Sequence, residues 1–534
     1  MGPSRHDVAG PGGGVRVQVQ SIGASPALGV GRLRLRPVPA LCLAAATCLL
    51  PAAWAAEGDG TPNFLVQPSL SVTQTASNNY LVTGVDPAYD QITRLTAGVG
   101  LRARTGFLRG YLDYSLSQLA HLRHSDRNTL QNRLNADFNA DLAEGRAKID
   151  VAASISQQAL SAFAAQPSSN GQPQANSTEV RSLRLSPAFR GPVGPGLRYT
   201  AQLGYNLTDA KASTAGDSNT ASIALHLEPA EKRRLGWAVD ASYLRSDFKA
   251  GRVTRDDRLT GLLNLGLPLL DLELSANAGV EFTDLATLER QRYNNWGVGA
   301  VWTPSPVTKL TAQFDHRFFG GSHSLVFEHR TPQTVWRLSD SRSLSTSGTQ
   351  NSGGQGTAYD LFYRQFASVE PDPTRRAALV SAFLTSRGIE AGTEASFLRS
   401  AATLQRRQEA SVAWRGVRSA VLLTFTQTLT ERVDTVVNVL DDLTQSSQVK
   451  LRGASLDLSH RLTPLSSVSL LLSSQQGDGN RASQHNRQRQ MGLTYNLRPR
   501  ADSTLVVGLR RALYESALVP YDETALFATY GIRF

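Results

Sequence analysis

Thr524-Ala-Leu-Phe-Ala-Thr-Tyr-Gly-Ile-Arg-Phe534 ends the chain, and its alternation decides the fold. Counting back from Phe534, every second residue is apolar (Ile532, Tyr530, Ala528, Leu526), whereas Arg533, Gly531 and Thr529 are polar or small. A period of two sends these sets to opposite faces of a β-strand. About 9–11 residues is the length a tilted strand needs to cross a bilayer with one face in lipid and the other in water. The last strand of a soluble sandwich would alternate in the same way, so the rest of the chain has to discriminate.

Working back, the same period recurs. Leu95/Ala97/Val99/Leu101/Ala103, Leu134/Ala136/Phe138/Ala140/Leu142, Leu272/Leu274/Ala276/Ala278/Val280/Phe282 and Trp296/Val298/Ala300/Trp302 are separated by Arg, Asn, Asp, Gln, Thr and Gly. A soluble barrel would turn such a face inward and fill it; this one is too long and too uniform, so the apolar side is expected outside. Short turns such as 143–146, 229–234 and 463–465 alternate with longer polar stretches such as 157–178, 208–219 and 431–448. Short on one side and long on the other is the up-and-down pattern of outer-membrane barrels. The expected fold is therefore all-β, a transmembrane up-and-down antiparallel β-barrel of about 22 strands, from 64–72 to 524–534. An even count leaves both termini in the periplasm.

The front of the chain supplies the address. Arg32, Arg34 and Arg36, the Leu/Ala-rich 40–50 and Ala53-Trp-Ala55 read as a secretory signal peptide cleaved after Ala55. Residues 1–30 are Gly-rich and fit no element, as a long leader or a mis-assigned start would. Residues 1–55 are thus leader and signal, and 56–534 the barrel. Both cysteines, Cys42 and Cys48, fall in the leader, which excludes disulfides, a thiolate nucleophile and cysteine metal ligands from the mature product. The leader holds five arginines against Asp7, so the net charge of +11 falls to +7 on cleavage. The expected location is the bacterial outer membrane.

One insertion interrupts the meander. Residues 345–400 open with a Ser/Gly/Thr/Gln run and then read as a helix, with Asp372 as N-cap, Pro373 at the first position and Gly388 at the C-cap. Val380, Phe383 and Leu384 share its apolar face. Exposing each would cost roughly 1.5–3 kcal/mol, so a lid or plug is expected at the outer half of the pore, packed on Leu361, Phe362 and Phe366 of the same segment.

Signatures of catalysis are missing: the sequence has no HExxH, GxSxG or P-loop pattern, and His316, His323 and His329 are the only local histidine group. No enzyme activity, cofactor, metal site or nucleic-acid partner is expected. Parity points instead to a polar lumen. Asp315, Arg317, Glu328, Arg330 and Arg337 are expected to face inward as a charge cluster, and Arg94, Arg102 and Arg104 to add basic groups elsewhere on the wall. Such groups can select what a pore passes, or form a cross-strand salt-bridge ladder that holds a wide barrel open.

Trp302-Thr-Pro-Ser-Pro306, His316-Arg-Phe-Phe-Gly320, Thr334-Val-Trp-Arg-Leu-Ser339, the Pro371–Leu384 segment and Pro68-Ser-Leu-Ser-Val-Thr-Gln-Thr75 carry a family resemblance. The mature chain resembles the PEP-CTERM system-associated outer-membrane β-barrel family of Gram-negative bacteria. That resemblance implies exosortase-linked loci and a part in exporting or organising exopolysaccharide. The C-terminal alternation likewise resembles the signal read by the barrel-assembly machinery, which gives Leu526, Ala528, Tyr530, Ile532 and Phe534 that role. Expected partners are therefore outer-membrane lipid, the assembly machinery, and exopolysaccharide or its export components. About seven residues separate the cleavage site from the first strand, so no N-terminal plug domain is expected. A channel or channel component is one reading; a non-conducting barrel that anchors a surface-assembly complex is the alternative.

Overall fold

The computed structural model describes residues 63–534 apart from 85, 165–175, 232–233, 347–365, 367–375, 377–396, 434–440 and 518. The signal peptide and the helix face Val380, Phe383 and Leu384 lie outside the described residues. Within them run β1 Phe64–Ser77, β2 Asp90–Arg104, β3 Leu108–His121, β4 Thr129–Leu142, β5 Ala147–Ala159, β6 Ser177–Val193, β7 Leu197–Ala210 and β8 Ser218–Pro229. β9 Leu235–Phe248, β10 Val253–Leu267, β11 Leu272–Thr283, β12 Gln291–Ser305, β13 Thr308–Arg317, β14 Gly320–Arg330 and β15 Thr334–Ser345 follow. The wall is completed by β16 Thr403–Arg415, β17 Ser419–Arg432, β18 Gln448–Thr463, β19 Ser466–Asp478, β20 His485–Leu497, β21 Ser503–Ser516 and β22 Tyr521–Arg533.

Each strand pairs antiparallel with its neighbours in the chain, and β22 returns to pair with β1 from Ser69↔Arg533 to Ser77↔Ala525. The backbone N–H of Phe534 donates to Pro68 O at 2.9 Å just beyond that seam. A sheet closed on itself has no edge left to satisfy. Across the seam Leu526 faces Ala76, Ala528 faces Gln74, Tyr530 faces Val72 and Ile532 faces Leu70.

Exposure shows which way the apolar face points. Leu263 is 58% exposed, Phe425 50% and Leu526 58%, where a filled soluble barrel would bury them. Trp237, Trp302, Trp336, Trp414, Tyr495 and Tyr530 stand on this outer face near the ends joined by short turns. Aromatic girdles of this kind sit at the membrane interface, and the short-turn end is the periplasmic one. The protein is a closed 22-stranded antiparallel barrel of the outer membrane.

Most strands run further outward than their alternation suggests. The alternation predicts strands over 64–72, 235–244 and 466–474, whereas β1 reaches Ser77, β9 Phe248 and β19 Asp478. Above the lipid the outer face turns polar and the period is lost, while backbone pairing continues. The short and long connections also break their order, most sharply where only residues 318–319 join β13 to β14 on the outer side, with Gly320 at φ +90° making the turn, and again at 249–252 and 517–520.

Leu509 lies on the lipid face beside Leu526, and Gln67 on the lumen face of β1. Leu509→Arg should lower the unfolding free energy by about 2–4 kcal/mol if that position sits near the bilayer midplane. Gln67→Arg should change it by less than about 1 kcal/mol. Reversible urea unfolding in lipid vesicles measures both, and equal losses would overturn the assignment of faces.

Candidate functional site: a charged lumen under a spanned mouth

Lumen residues follow from the register. Trp296 pairs with His316 on the lipid side, so Gly297 and Asp315 pair on the lumen side. A Cβ at Gly297 would collide with Asp315 Oδ1, so the glycine makes room for the carboxylate. Asp315, Arg317, Glu328, Arg330 and Arg337 all occupy lumen-face positions, but they do not form one cluster. Arg337 donates to Glu328 on the adjacent strand. Asp315 accepts from Asn277 Nδ2 and Gln313 Nε2, each at 2.9 Å. Arg330 Nη2 turns to the periplasmic connection and donates to Pro306 O at 2.9 Å.

Arg317 turns away from the other four. It donates to Glu281 on β11, and to Asp256 Oδ2 on β10 at 3.2 Å. The Glu281 side chain is fully buried. Neither acid was singled out by sequence reasoning. Glu281 carries the right parity on its strand, whereas Asp256 falls one residue before 257–267, the range over which the alternation predicts a strand.

Elsewhere on the wall several charges are matched. Arg102 grips Asp113 with two bonds at 2.9 and 3.1 Å and stands 5.3 Å from the Tyr111 ring centroid. Arg94 and Arg104 share its face on β2. Arg198 pairs with Glu228 at 2.7 Å, and Lys148 with Asp150 at 3.2 Å. Among the described residues no group of three or more His, Cys, Asp or Glu could hold a metal. His316, His323 and His329 separate: His316 stacks on Trp296, His323 meets Asp340 at 3.1 Å, and His329 meets Thr308 at 2.9 Å.

The outer mouth is spanned by chain. Phe397, just ahead of β16, is fully buried and bridges to Ala159 at the end of β5, eleven strands away in a ring of 22. It packs with Ala162, Phe163, Leu443 and Val449, while Leu398 packs with Val180 and Ala210. The loop after β5 reaches onward: Asn486 Nδ2 donates to Ala162 O at 2.8 Å, and Tyr514 OH to Phe163 O at 2.9 Å.

Two acids at a single helical turn, Asp442–Gln445, fasten these segments together. Asp442 accepts from Ser161 Oγ at 2.7 Å and from Ala162 N at 2.6 Å. Asp441 caps the turn through Thr444 N at 2.9 Å and accepts from Ser400 N at 3.1 Å. Burial pushes the Asp442 carboxyl above the usual range, helped by the charge of Asp441 and opposed by the Ala162 N–H and the Ser161 hydroxyl. Arg399 beside them is almost fully buried, donates to Thr403 Oγ1 at 2.5 Å and Ser345 Oγ at 3.2 Å, and burial lowers its pKa to about 10.

One residue within 345–400 marks a different depth. Phe366 is 4% exposed, and the Arg415 guanidinium stands 4.5 Å from its ring centroid at the periplasmic end of β16. Phe366 thus lies at the bottom of the lumen, whereas Phe397 and Leu398 of the same 345–400 stretch lie at the outer mouth. Next to Arg415 in the register, Val335, Ala413 and Ala420 on the lumen face are buried.

No family model matches the chain. No curated protein matches it either. Among solved structures it is similar to the FrpB iron transporter from Neisseria meningitidis (F5-1 variant), at 9% identity and a TM-score of 0.46, covering 88% of this chain and 82% of that one. It is also similar to the siderophore receptor PirA from Acinetobacter baumannii, at 9% identity and TM-score 0.42, with 89% and 81% covered. OccK5 (OpdH) from Pseudomonas aeruginosa has 10% identity and TM-score 0.30, with 88% and 98% covered.

Because the spanned mouth holds the Asp442 proton more tightly than water would, lowering the pH through that raised range strengthens the fastening and raising it weakens it. In planar bilayers any conductance through the barrel should rise with pH. Asp442→Asn, which keeps the shape and can still pair with Ser161 and Ala162, should flatten that dependence. Asp442→Ala leaves the Ala162 N–H unpaired at a cost of about 1–3 kcal/mol and should open the mouth at every pH. A pH response surviving in Asp442→Asn would assign it to another group.

Proposed function

We propose that this outer-membrane barrel is a gated channel, or the channel component of a larger export apparatus, through which extracellular polysaccharide leaves the cell in PEP-CTERM and exosortase-linked surface assembly. The observation that carries the reading is the mouth. A polar lumen is spanned on its outer side by loop segments fastened through Asp441 and Asp442, through Asn486 and Tyr514, and through small apolar clusters, all of them side-chain contacts outside the backbone pairing of the wall. The wall suits such cargo. Several of its acids and bases are paired across neighbouring strands, and the wall offers many hydrogen-bonding groups. The polysaccharide itself comes from the family resemblance.

The second reading, a non-conducting barrel that anchors a surface-assembly complex, draws on the buried lumen face around Phe366. Replacing residues 350–395 with a short Gly/Ser bridge separates the two. A gated channel should gain single-channel conductance and make cells sensitive to large hydrophilic antibiotics, and a strain without the protein should retain its polysaccharide. If conductance, sensitivity and secretion all stay as they were, the anchoring role is the better account.

A further inference from the structure

The lipid-facing wall of β17–β21 carries a groove of about 630 Å³, and its origin lies in the register. One row across the strands reads Leu423, Leu456, Leu472, Met491, each facing the next. In the row above, Phe425 faces Ala454, Ala454 faces Ser474 and Ser474 faces Arg489. Two small side chains between two large ones leave a depression with an apolar floor. The next row outward adds Arg452 and Arg487, and Arg511 flanks Met491.

These arginines stand where the bilayer changes character. Tyr495 belongs to the periplasmic girdle, and Arg487 is eight residues above it on β20. At about 3.3 Å per residue and a tilt of about 40°, that is roughly 20 Å, near the top of an apolar band about 25 Å tall. Three guanidinium groups have acidic neighbours, Arg511 with Asp522 at 2.9 Å, Arg489 with Glu515 at 3.5 Å and Arg452 with Asp478 at 3.8 Å. Arg489 and Arg511 remain about half exposed. Arg487 makes no ion pair among the described residues, and its Nε is buried without a hydrogen-bond partner. A charge left unpartnered at that depth calls for an anion.

We propose that this groove binds one phosphorylated, acylated sugar lipid of the outer leaflet. Its acyl chains lie on Leu423, Leu456, Leu472 and Met491, and its phosphate is held by Arg487 and Arg489 with Arg511 beside them. The chemistry fits one occupant: apolar chains running down from an anionic head, in the leaflet that the outer half of the barrel faces. Guanidinium groups bind phosphate oxygens through paired N–H donors, and low dielectric around them strengthens the contact.

Native mass spectrometry of the full barrel in detergent, titrated with lipid A, dephosphorylated lipid A and phosphatidylglycerol, tests this. Lipid A should occupy one saturable site at least about tenfold more tightly than the other two, with no displacement by inorganic phosphate at millimolar concentration. Arg487→Gln with Arg489→Gln should lose about tenfold, as should Ala454→Phe, which fills the depression, whereas Arg292→Gln on the far wall should bind as before. Equal retention of dephosphorylated lipid A would reduce the groove to ordinary lipid contact, displacement by phosphate would make it a bare anion site, and unchanged binding in both groove variants would place the lipid elsewhere. Each of these results overturns the proposal. The comparison of the three lipids on the unaltered protein needs no variant to fold.

Discussion

In hydrocarbon a backbone N–H or C=O without a partner costs several kcal/mol, and no water is available to supply one. Everything in this barrel depends on that constraint, because it forces β22 to find β1. Closure requires an even number of antiparallel strands with both ends on one side, and it requires their lipid faces to agree at the seam. Tyr530 beside Val72 and Ile532 beside Leu70 meet that condition. A slip of one residue would turn Arg533 and Thr529 toward lipid and the whole apolar row inward.

With the wall fixed by backbone pairing, the side chains inside are free to do other work. The lumen ion pairs are worth little as stability, since exposed pairs contribute about 0–1 kcal/mol each. Arg102 with Asp113, each about half exposed, belongs in that class. Arg317 between Glu281 and Asp256 is different, because these groups are almost wholly removed from water and each leaves the others costly if deleted. The mouth has the opposite balance. It is held by a handful of hydrogen bonds and small apolar clusters outside the lipid, where parting them exposes groups that water can satisfy.

Much of the wall was legible in the sequence, since period, turn spacing and the terminal alternation are local signals that one dominant force, lipid solvation, writes into every strand. Strand count and the inner ends of strands came from that signal. The outer ends did not, because residues such as Thr75–Ser77 or Gly477–Asp478 no longer answer to lipid. Lumen parity located Arg317 and Arg337 on a face but could not choose their partners, which depends on how far each guanidinium reaches across neighbouring strands. A covering role for residues 345–400 was legible, but the contacts that make the spanning mouth were not. Phe397, Asp442 and Ala162 come from three separate loops, and no period connects them. Phe366 at the lumen floor was missed for the same reason, as an apolar residue whose partner, Arg415, lies on another element.

The bridge between Phe397 and Ala159 joins segments far apart in the chain and on opposite walls. Neither half of the sequence can make it alone, and it cannot form before β5 and β16 stand in their final places. The contact across the mouth is thus non-local in the chain and follows the placing of the two walls that it joins.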